Sequence, residues 1–158
     1  MKVQWLDHDK DSRELFKEYS LSFKQMVFSG HPCYMVNNPL FKDATPVVLY
    51  DQQQVIGFFM FVEASDYTES LSNANEAIYI RGLSIDSKHQ GQGYFKHVLN
   101  AIEQVARNKG KIYIVMTTNK LNKTAYQTFL HKGFEKYDPI GYYGYRQLLH
   151  FLKKRVDY

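Results

Sequence analysis

The chain has 158 residues, of which 44% are hydrophobic and 23% are charged, and its formal net charge is +4. This size and composition suit one globular domain over residues 1–158 and argue against a disordered chain. The mild positive charge argues against a protein committed to nucleic acid and favours anionic ligands. No apolar run reaches the length of a membrane span, and one cysteine, Cys33, allows no internal disulfide. We therefore expect a cytoplasmic protein that binds neither membrane nor nucleic acid.

The hydrophobic pattern of the first half predicts antiparallel strands around one helical segment. A short strand over residues 2–6 precedes a helix that starts near Ser12, has a break near residue 20 and ends before Gly30. Two apolar runs, 46–50 and 55–62, flank a polar turn, which predicts a hairpin. The second run is apolar on both faces, so we expect it at the centre of a covered sheet.

The second half predicts a parallel strand–helix–strand unit. A strand over residues 77–86 precedes an amphipathic helix over 91–109, and a buried strand over 111–116 follows. Such a unit forms a right-handed crossover between parallel strands. The pattern ends with a second helix and two strands, over 121–131, 134–137 and 143–152. The order predicts an α/β fold with a central mixed sheet of six to seven strands flanked by helices.

A glycine-bearing turn stands where a predicted strand hands over to the long helix. Residues 90–95 read Gln-Gly-Gln-Gly-Tyr-Phe. The first turn of a helix has free N–H groups and a partial positive charge, so it attracts anions. Gly91 and Gly93 remove side chains that would keep a phosphate away from the backbone. The spacing fits neither the dinucleotide fingerprint nor the P-loop. From the residues alone, a phosphate site and a turn without a ligand both stay open.

This turn resembles the acyl-CoA motif of the GNAT superfamily of N-acetyltransferases. That motif reads Arg/Gln-x-x-Gly-x-Gly/Ala after a strand that ends Leu-x-Val. The chain has the run from Gln90 to Phe95, and Leu83-Ser84-Ile85 precedes it. Phe95 stands where the family has a small residue, so we expect its ring to point into the core and its backbone N–H to remain for phosphate.

A second likeness lies further along the chain. From Asn122 to Phe134 the chain keeps the spacing of the family's second motif, Asn-x-x-Ala followed by Gly-Phe. Residues 55–58 resemble the family's third strand, so the likeness covers roughly residues 46–138 in preserved order. The resemblance implies a GNAT-like acyl-CoA N-acyltransferase fold and acetyl-CoA as co-substrate.

The resemblance also implies where acetyl-CoA binds. In the family it lies in a wedge between the fourth and fifth strands, which a bulge opens, and Gly82 would permit that bulge or serve packing alone. The strand backbone would pair with the pantetheine arm, and the turn would hold the pyrophosphate. The implied cofactor-binding residues are Leu83, Ser84, Ile85, Gln90, Gly91, Gln92, Gly93, Tyr94, Phe95, Lys96, Asn122 and Phe129. For Asn122, a helix cap is the alternative.

For the chemistry, the resemblance implies direct acetyl transfer from the thioester to a primary amine, with a base for the amine and an acid for the thiolate. The family's tyrosine acid corresponds to Phe129, which has no proton to give. Tyr126 lies one turn earlier and is the candidate acid, with solvent as the alternative. Tyr79 stands at the family's usual carboxylate position, so Glu76, at the start of that strand, is the candidate base through water, with an exposed loop carboxylate as the alternative. A CoA-binding sensor with weak catalysis and a nucleic-acid-binding module are the alternative functions.

Other residues carry weaker hypotheses. Arg81 binds an acidic acceptor or a pantetheine carbonyl, or it forms a salt bridge across the sheet. His89 approaches a phosphate or faces solvent in the turn, and Cys33 suits a bland loop position better than a covalent acyl carrier. The histidines show no ligand spacing, so we expect no metal. Six aromatic residues would either line a partly apolar acceptor pocket or close the core: Phe23, Phe28, Tyr34, Tyr67, Tyr142 and Tyr143. The sequence names neither the amine, nor acyl groups beyond acetyl, and it leaves monomer and homodimer open.

Overall fold

The computed structural model describes residues 1–7, 9–63, 76–137 and 148–158. The chain divides into two compact units. The first unit is Met1–Val62 with Ile80–Ile102, and the second unit is Glu63–Tyr79 with Glu103–Tyr158. The boundary passes through one strand and one helix, and a single functional domain over residues 1–158 stays a prediction.

Seven strands of the described residues form a mixed sheet in the order β1-β2-β3-β4-β5-β7-β6. The strands are β1 (Lys2–Trp5), β2 (Thr45–Asp51), β3 (Gln54–Val62), β4 (Ala77–Ile85), β5 (Tyr113–Asn119), β6 (Glu135–Tyr137) and β7 (Leu149–Arg155). The helices are α1 (Phe23–Phe28), α2 (Pro32–Met35), α3 (Tyr94–Asn108) and α4 (Lys123–His131), with short 3₁₀ turns at Arg13–Phe16, Pro39–Phe41 and Ser87–His89. The predicted α/β class with a mixed sheet is confirmed.

In the first unit, β1, β2 and β3 are antiparallel neighbours. The β2–β3 turn places Gln52 and Gln53 at φ of 50° and 68°, the left-handed conformation that a tight hairpin needs. Every residue of β3 from Ile56 to Val62 is buried. This burial on both faces confirms the predicted central position of the strand.

The helical segment before Gly30 is shorter than the sequence predicts. Ser22 starts α1 through a capping box with Gln25, and only a 3₁₀ turn forms upstream. Between them, the main chain of residues 19 and 20 bonds to side chains, because the Ser20 N–H donates to Asp86 and the Tyr19 carbonyl lies 2.6 Å from His31 Nε2. These tertiary hydrogen bonds replace the helical ones and explain the break near residue 20.

Gly82 interrupts β4 with a φ of +66°. A positive φ inside a strand is the conformation that a bulge uses and that side chains resist. A Cβ at this position would also overlap the terminal methyl of Met35 in α2. Backbone conformation and packing therefore both require glycine here.

In the second unit, the start of β4 pairs in parallel with β5, as predicted. That register covers three residue pairs, Ala77–Tyr79 with Tyr113–Val115. β5 then pairs along its length with antiparallel β7, which also pairs with β6. β5 starts later than predicted because Gly110 adopts φ +67° and the Lys111 N–H closes the end of α3 on Ala106. Residues 138–147, where the last strand was predicted to begin, lie outside the described residues.

The two longer helices follow the predicted apolar pattern. The buried face of α3 comprises Val98, Leu99, Ala101, Ile102, Val105 and Ala106. Phe129 of α4 is buried, and its ring packs edge-on against Phe134 with centroids 5.5 Å apart. Among the described residues, no helix has the length and apolar character needed to cross a membrane.

Candidate active site

The glycine loop, residues 90–93, connects the 3₁₀ turn at Ser87–His89 to the start of α3. Gly91 and Gly93 have φ of +74° and +82°, and a Cβ on either would meet no atom within 4 Å. The backbone conformation therefore selects glycine, since packing does not. The space above both residues is open to a ligand.

Main-chain N–H groups of the loop are left unpaired. Among the described residues, nothing accepts a hydrogen bond from the N–H of Gly91, Gln92, Gly93 or Tyr94. The loop's amide side chains fold back instead, because Gln90 Nε2 donates to the Ile85 carbonyl at 3.1 Å and Gln92 Nε2 to the Lys88 carbonyl at 3.2 Å. Consecutive free N–H groups before a helix are the pattern of an anion site.

Asp86 anchors the segment before the loop, and sequence reasoning missed it. Its side chain is 1% exposed and accepts hydrogen bonds from both sides. Oδ1 receives the Ser20 N–H at 2.7 Å, and Oδ2 receives the Lys88 N–H at 3.2 Å. The usable signal was an Asp directly before a turn that leads to a helix, which is a capping position.

His89 does not face solvent, so that interpretation is wrong. Its side chain is 17% exposed, with Nδ1 2.8 Å from Asp86 Oδ2 and Nε2 3.2 Å from Gln54 Oε1. The ring also meets the Tyr94 ring edge-on at 5.8 Å. Asp86, buried below the turn, draws the imidazole inward.

Tyr94 ties the first residue of α3 to β2. Its hydroxyl donates to Asp51 Oδ2 at 2.6 Å, and this hydrogen bond, together with partial burial, raises the pKa of Tyr94. A hydrogen bond to a carboxylate is stronger than one between neutral groups. Both ends of the glycine loop are thus fixed by carboxylates, Asp86 before it and Asp51 after it.

The remaining residues predicted in the first unit have mixed surroundings. The Ser84 hydroxyl is 2.9 Å from the hydroxyl of Tyr19, whose pKa is raised mainly by burial. Lys96 is exposed and Phe95 is half-buried. The Ser84 side chain is thus used in the core, and a contact of its backbone with a ligand stays a prediction.

In the second unit, Asn122 caps α4 by accepting the Ala125 N–H on Oδ1 at 3.3 Å. The capping alternative is therefore observed, and a pantetheine contact stays a prediction. Phe129 occupies the core position described above.

Tyr126 of α4 stacks on His150 of β7, with ring centroids 4.0 Å apart and planes at 19°. His150 is opposite Thr118 in the β5–β7 register. His150 Nδ1 and Thr118 Oγ1 are buried without a hydrogen-bond partner among the described residues. Burial lowers the pKa of His150, and the nearby charges of Lys136 and Lys120 add to the effect. Sequence reasoning missed this cluster because its members come from three separate elements.

Glu76 is half-buried, and its carbonyl accepts the Ile112 N–H at 2.7 Å. Tyr79, at the family's carboxylate position, has its hydroxyl 3.3 Å from Thr117 Oγ1. The roles of Glu76 as base and Tyr126 as acid stay predictions.

Weaker candidates have structural positions of their own. The Arg81 guanidinium lies over the Phe41 ring at 4.8 Å. Cys33 is half-buried in an open pocket of about 590 Å³ that Asp11 also lines. His31 Nδ1 accepts the Cys33 N–H and so caps α2. In the described part of the chain, no three side chains form a metal site.

The aromatic residues predicted for an acceptor pocket are only partly described. Phe23 and Tyr34 are 83% and 72% exposed, and Phe28 is half-buried. Tyr67, Tyr142 and Tyr143 lie outside the described residues. An aromatic acceptor pocket stays a hypothesis.

Comparison with known proteins agrees with this geometry. The model of the acetyltransferase (GNAT) family matches residues 5–134. The uncharacterized N-acetyltransferase YbbJ of Bacillus subtilis is 24% identical over 121 residues, which are 75% of this chain and 76% of that protein. N-acetyltransferase 8F1 of Rattus norvegicus is 37% identical over 54 residues, which are 34% of this chain and only 24% of the rat protein.

A solved structure shows the same fold. The GNAT domain of PAT from S. lividans superposes with a TM-score of 0.71 at 13% identity, covering 97% of this chain and 89% of that one. The family match spans most of the chain and includes the glycine loop and α4. The chain therefore belongs to the GNAT family of acetyltransferases.

Proposed function

We propose that the chain is an N-acetyltransferase that moves an acetyl group directly from acetyl-CoA to a primary amine. The observation that carries this proposal is the row of N–H groups on the glycine loop that have no acceptor among residues 1–7, 9–63, 76–137 and 148–158 and that lie beside open space before α3. The diphosphate of CoA carries two negative charges, which such a row binds well because the amides need no reorganisation. The N–H groups of residues 90–96 then hold the diphosphate.

The transfer requires three events at the thioester. The neutral amine attacks the carbonyl carbon, a tetrahedral oxyanion forms, and the C–S bond breaks to release the CoA thiolate. The N–H of Ile85 stabilises the oxyanion in this proposal. Glu76 removes the amine proton through water, and Tyr126 or solvent supplies a proton to the thiolate.

Tyr126 suits the acid role better than its sequence position alone suggests. Its ring is held by the stacked His150 ring at 4.0 Å, which restricts the direction of the hydroxyl. A proton donor of fixed orientation loses less entropy when the reaction begins. Burial lowers the pKa of His150 and so favours its neutral imidazole. The stacked ring therefore adds no fixed positive charge beside Tyr126 at neutral pH.

A CoA-binding sensor is the second candidate. It is favoured by Phe129, which occupies the family's acid position and is packed against Phe134 where it gives no proton. In this case CoA binds at the same loop, but no amine increases thiol release above hydrolysis.

Two measurements test the proposal. Calorimetric titration with acetyl-CoA should give saturable heat, and its absence would remove both candidates. A thiol-release assay with acetyl-CoA and a panel of polyamines, amino acids, peptides and aminoglycosides should then find an amine that raises turnover well above hydrolysis. Binding without any such amine would leave the sensor.

A further inference from the structure

The hydrogen bonds around Asp86 join two segments that are distant in sequence. Ser20 donates its N–H and, at 3.3 Å, its hydroxyl to Oδ1. The Ser87 N–H donates to the Ser20 carbonyl at 2.7 Å, and the two serine hydroxyls lie 2.5 Å apart. Asp86 itself is held at the end of β4, because its N–H donates to the Ile56 carbonyl at 2.9 Å. Ser20 and Ile56 therefore hold Asp86 in place independently of its contacts with Lys88 and His89.

The other carboxylate oxygen faces the glycine loop. Oδ2 receives the Lys88 N–H and contacts His89 Nδ1, the residue directly before Gln90. His89 in turn contacts Gln54 and the ring of Tyr94. The segment that leads into the loop thus depends on one buried anion, whereas Asp51 holds Tyr94 after the loop. Glycine residues have the widest choice of backbone conformations, so Gly91 and Gly93 do little themselves to hold the shape of the loop.

We infer that Asp86 is a positioning residue that sets the glycine loop for the diphosphate of CoA, and this inference rests on the proposed function. It touches no part of the ligand and acts through the backbone of Lys88 and the ring of His89. An anion site made of main-chain N–H groups binds tightly only when those groups already converge. Without Asp86, the cost of ordering the two glycines would fall on the binding step.

The variant that tests this inference is Asp86→Asn. An amide has one acceptor oxygen where the carboxylate has two, so either the Ser20 side or the loop side loses its hydrogen bonds. We expect CoA to bind about tenfold more weakly, because the loss of a charge-assisted hydrogen bond loosens the segment before the loop. Pantetheine, which lacks the diphosphate, should bind within about twofold of wild type. Calorimetry measures CoA directly, and displacement titration at high concentration measures pantetheine.

Tyr19→Phe is the matched control. It removes the buried hydroxyl that lies 2.9 Å from Ser84, while the Asp86 carboxylate keeps its partners. It should lower the melting temperature and leave the ratio of CoA to pantetheine affinity unchanged. Should Asp86→Asn fail to fold, His89→Ala removes the contact between the imidazole and Asp86 Oδ2 and should weaken CoA binding about threefold.

The possible results distinguish a failure of the positioning role of Asp86 from a failure of the proposed function. Equal weakening of CoA and pantetheine binding, or no weakening of either, would overturn the positioning role while the wild-type protein still binds CoA. If the wild-type protein gives no binding to CoA, the proposed function fails first and the inference fails with it. Weaker binding of CoA with unchanged binding of pantetheine supports both the proposed function and the positioning role of Asp86.

Discussion

The glycine loop of the first unit and the Tyr126–His150 stack of the second unit satisfy their polar groups in opposite ways. Around the loop, the buried Asp86 carboxylate accepts hydrogen bonds on both oxygens, and only main-chain N–H groups lack an acceptor among the residues that the structure describes. Around the stack, two side-chain atoms, His150 Nδ1 and Thr118 Oγ1, have no hydrogen-bond partner within the described part of the chain. Buried polar atoms are nearly always satisfied in proteins. A fully bonded scaffold suits binding by a rigid loop, whereas unsatisfied side chains are typical of places where chemistry or a further partner is expected.

The largest effect should come from Gly93→Val, which tests whether the loop is the binding region. A β-branched residue cannot easily adopt φ +82°, and its side chain would fill the open space. We expect CoA affinity to fall at least about 100-fold by calorimetry, a loss of roughly 3 kcal/mol. Gly110→Val is the control, because Gly110 also has positive φ and no neighbour within 4 Å. It should cost similar stability and leave affinity unchanged; an equal loss in both variants would contradict the loop assignment.

Gly82→Ala tests how rigidly the first unit, which contains the glycine loop, is packed around β4. The substitution combines left-handed strain with overlap of the Met35 methyl, so we expect a loss of about 3 kcal/mol in the free energy of unfolding. Chemical denaturation measures it. The pair Gly82→Ala with Met35→Leu should lose less than the sum of the single variants, since leucine withdraws the overlapping methyl. Strict additivity would show that the overlap contributes nothing.

Tyr126→Phe tests whether the Tyr126–His150 stack of the second unit takes part in the chemistry. If the Tyr126 hydroxyl protonates the thiolate, kcat should fall about tenfold while KM for acetyl-CoA stays the same. Tyr113→Phe removes a hydroxyl from the same unit, where the ring lies beneath Lys153, and should change neither constant. An unaltered kcat in Tyr126→Phe would assign the proton to solvent.

The smallest effect should come from His150→Phe, which keeps a ring against Tyr126 and removes the unpaired nitrogen. Relief of a buried unsatisfied atom should stabilise the protein by about 1 kcal/mol at neutral pH. Because burial lowers the folded-state pKa of His150, the unfolded chain binds more protons. Titration of His150 therefore costs the fold nothing above pH 6.5 and destabilises it increasingly as the pH falls from 6.5 towards the folded-state pKa.

Denaturation at several pH values checks this prediction. His150→Phe should lose less stability than wild type between pH 7 and pH 5. His131→Gln, which removes an exposed histidine of α4, should follow the wild-type curve. If the stability of His150→Phe followed the wild-type pH dependence, the titration of His150 would make no contribution to that dependence. The charged groups near His150 on which the effect depends are Lys136 and Lys120.

The sequence by itself determined what depends on local pattern. Alternating and continuous apolar runs placed the strands, and the apolar stripe of α3 with Gly110 behind it placed the long helix. The glycines at 91 and 93 marked the loop because positive φ is a local property of the backbone. The family resemblance of residues 83–95 and 122–134 rested on spacing, and the family match confirms it.

The tertiary structure decided what depends on residues distant in the chain. It shortened the first helical segment, because the Asp86 side chain accepts the Ser20 N–H and the His31 side chain donates to the Tyr19 carbonyl. It turned His89 inward onto Asp86, and it stacked Tyr126 on His150 beside Thr118. No local periodicity encodes these contacts. They arise when the sheet brings together the ends of strands whose residues are tens of positions apart. Burial then makes each unpaired polar atom costly in free energy.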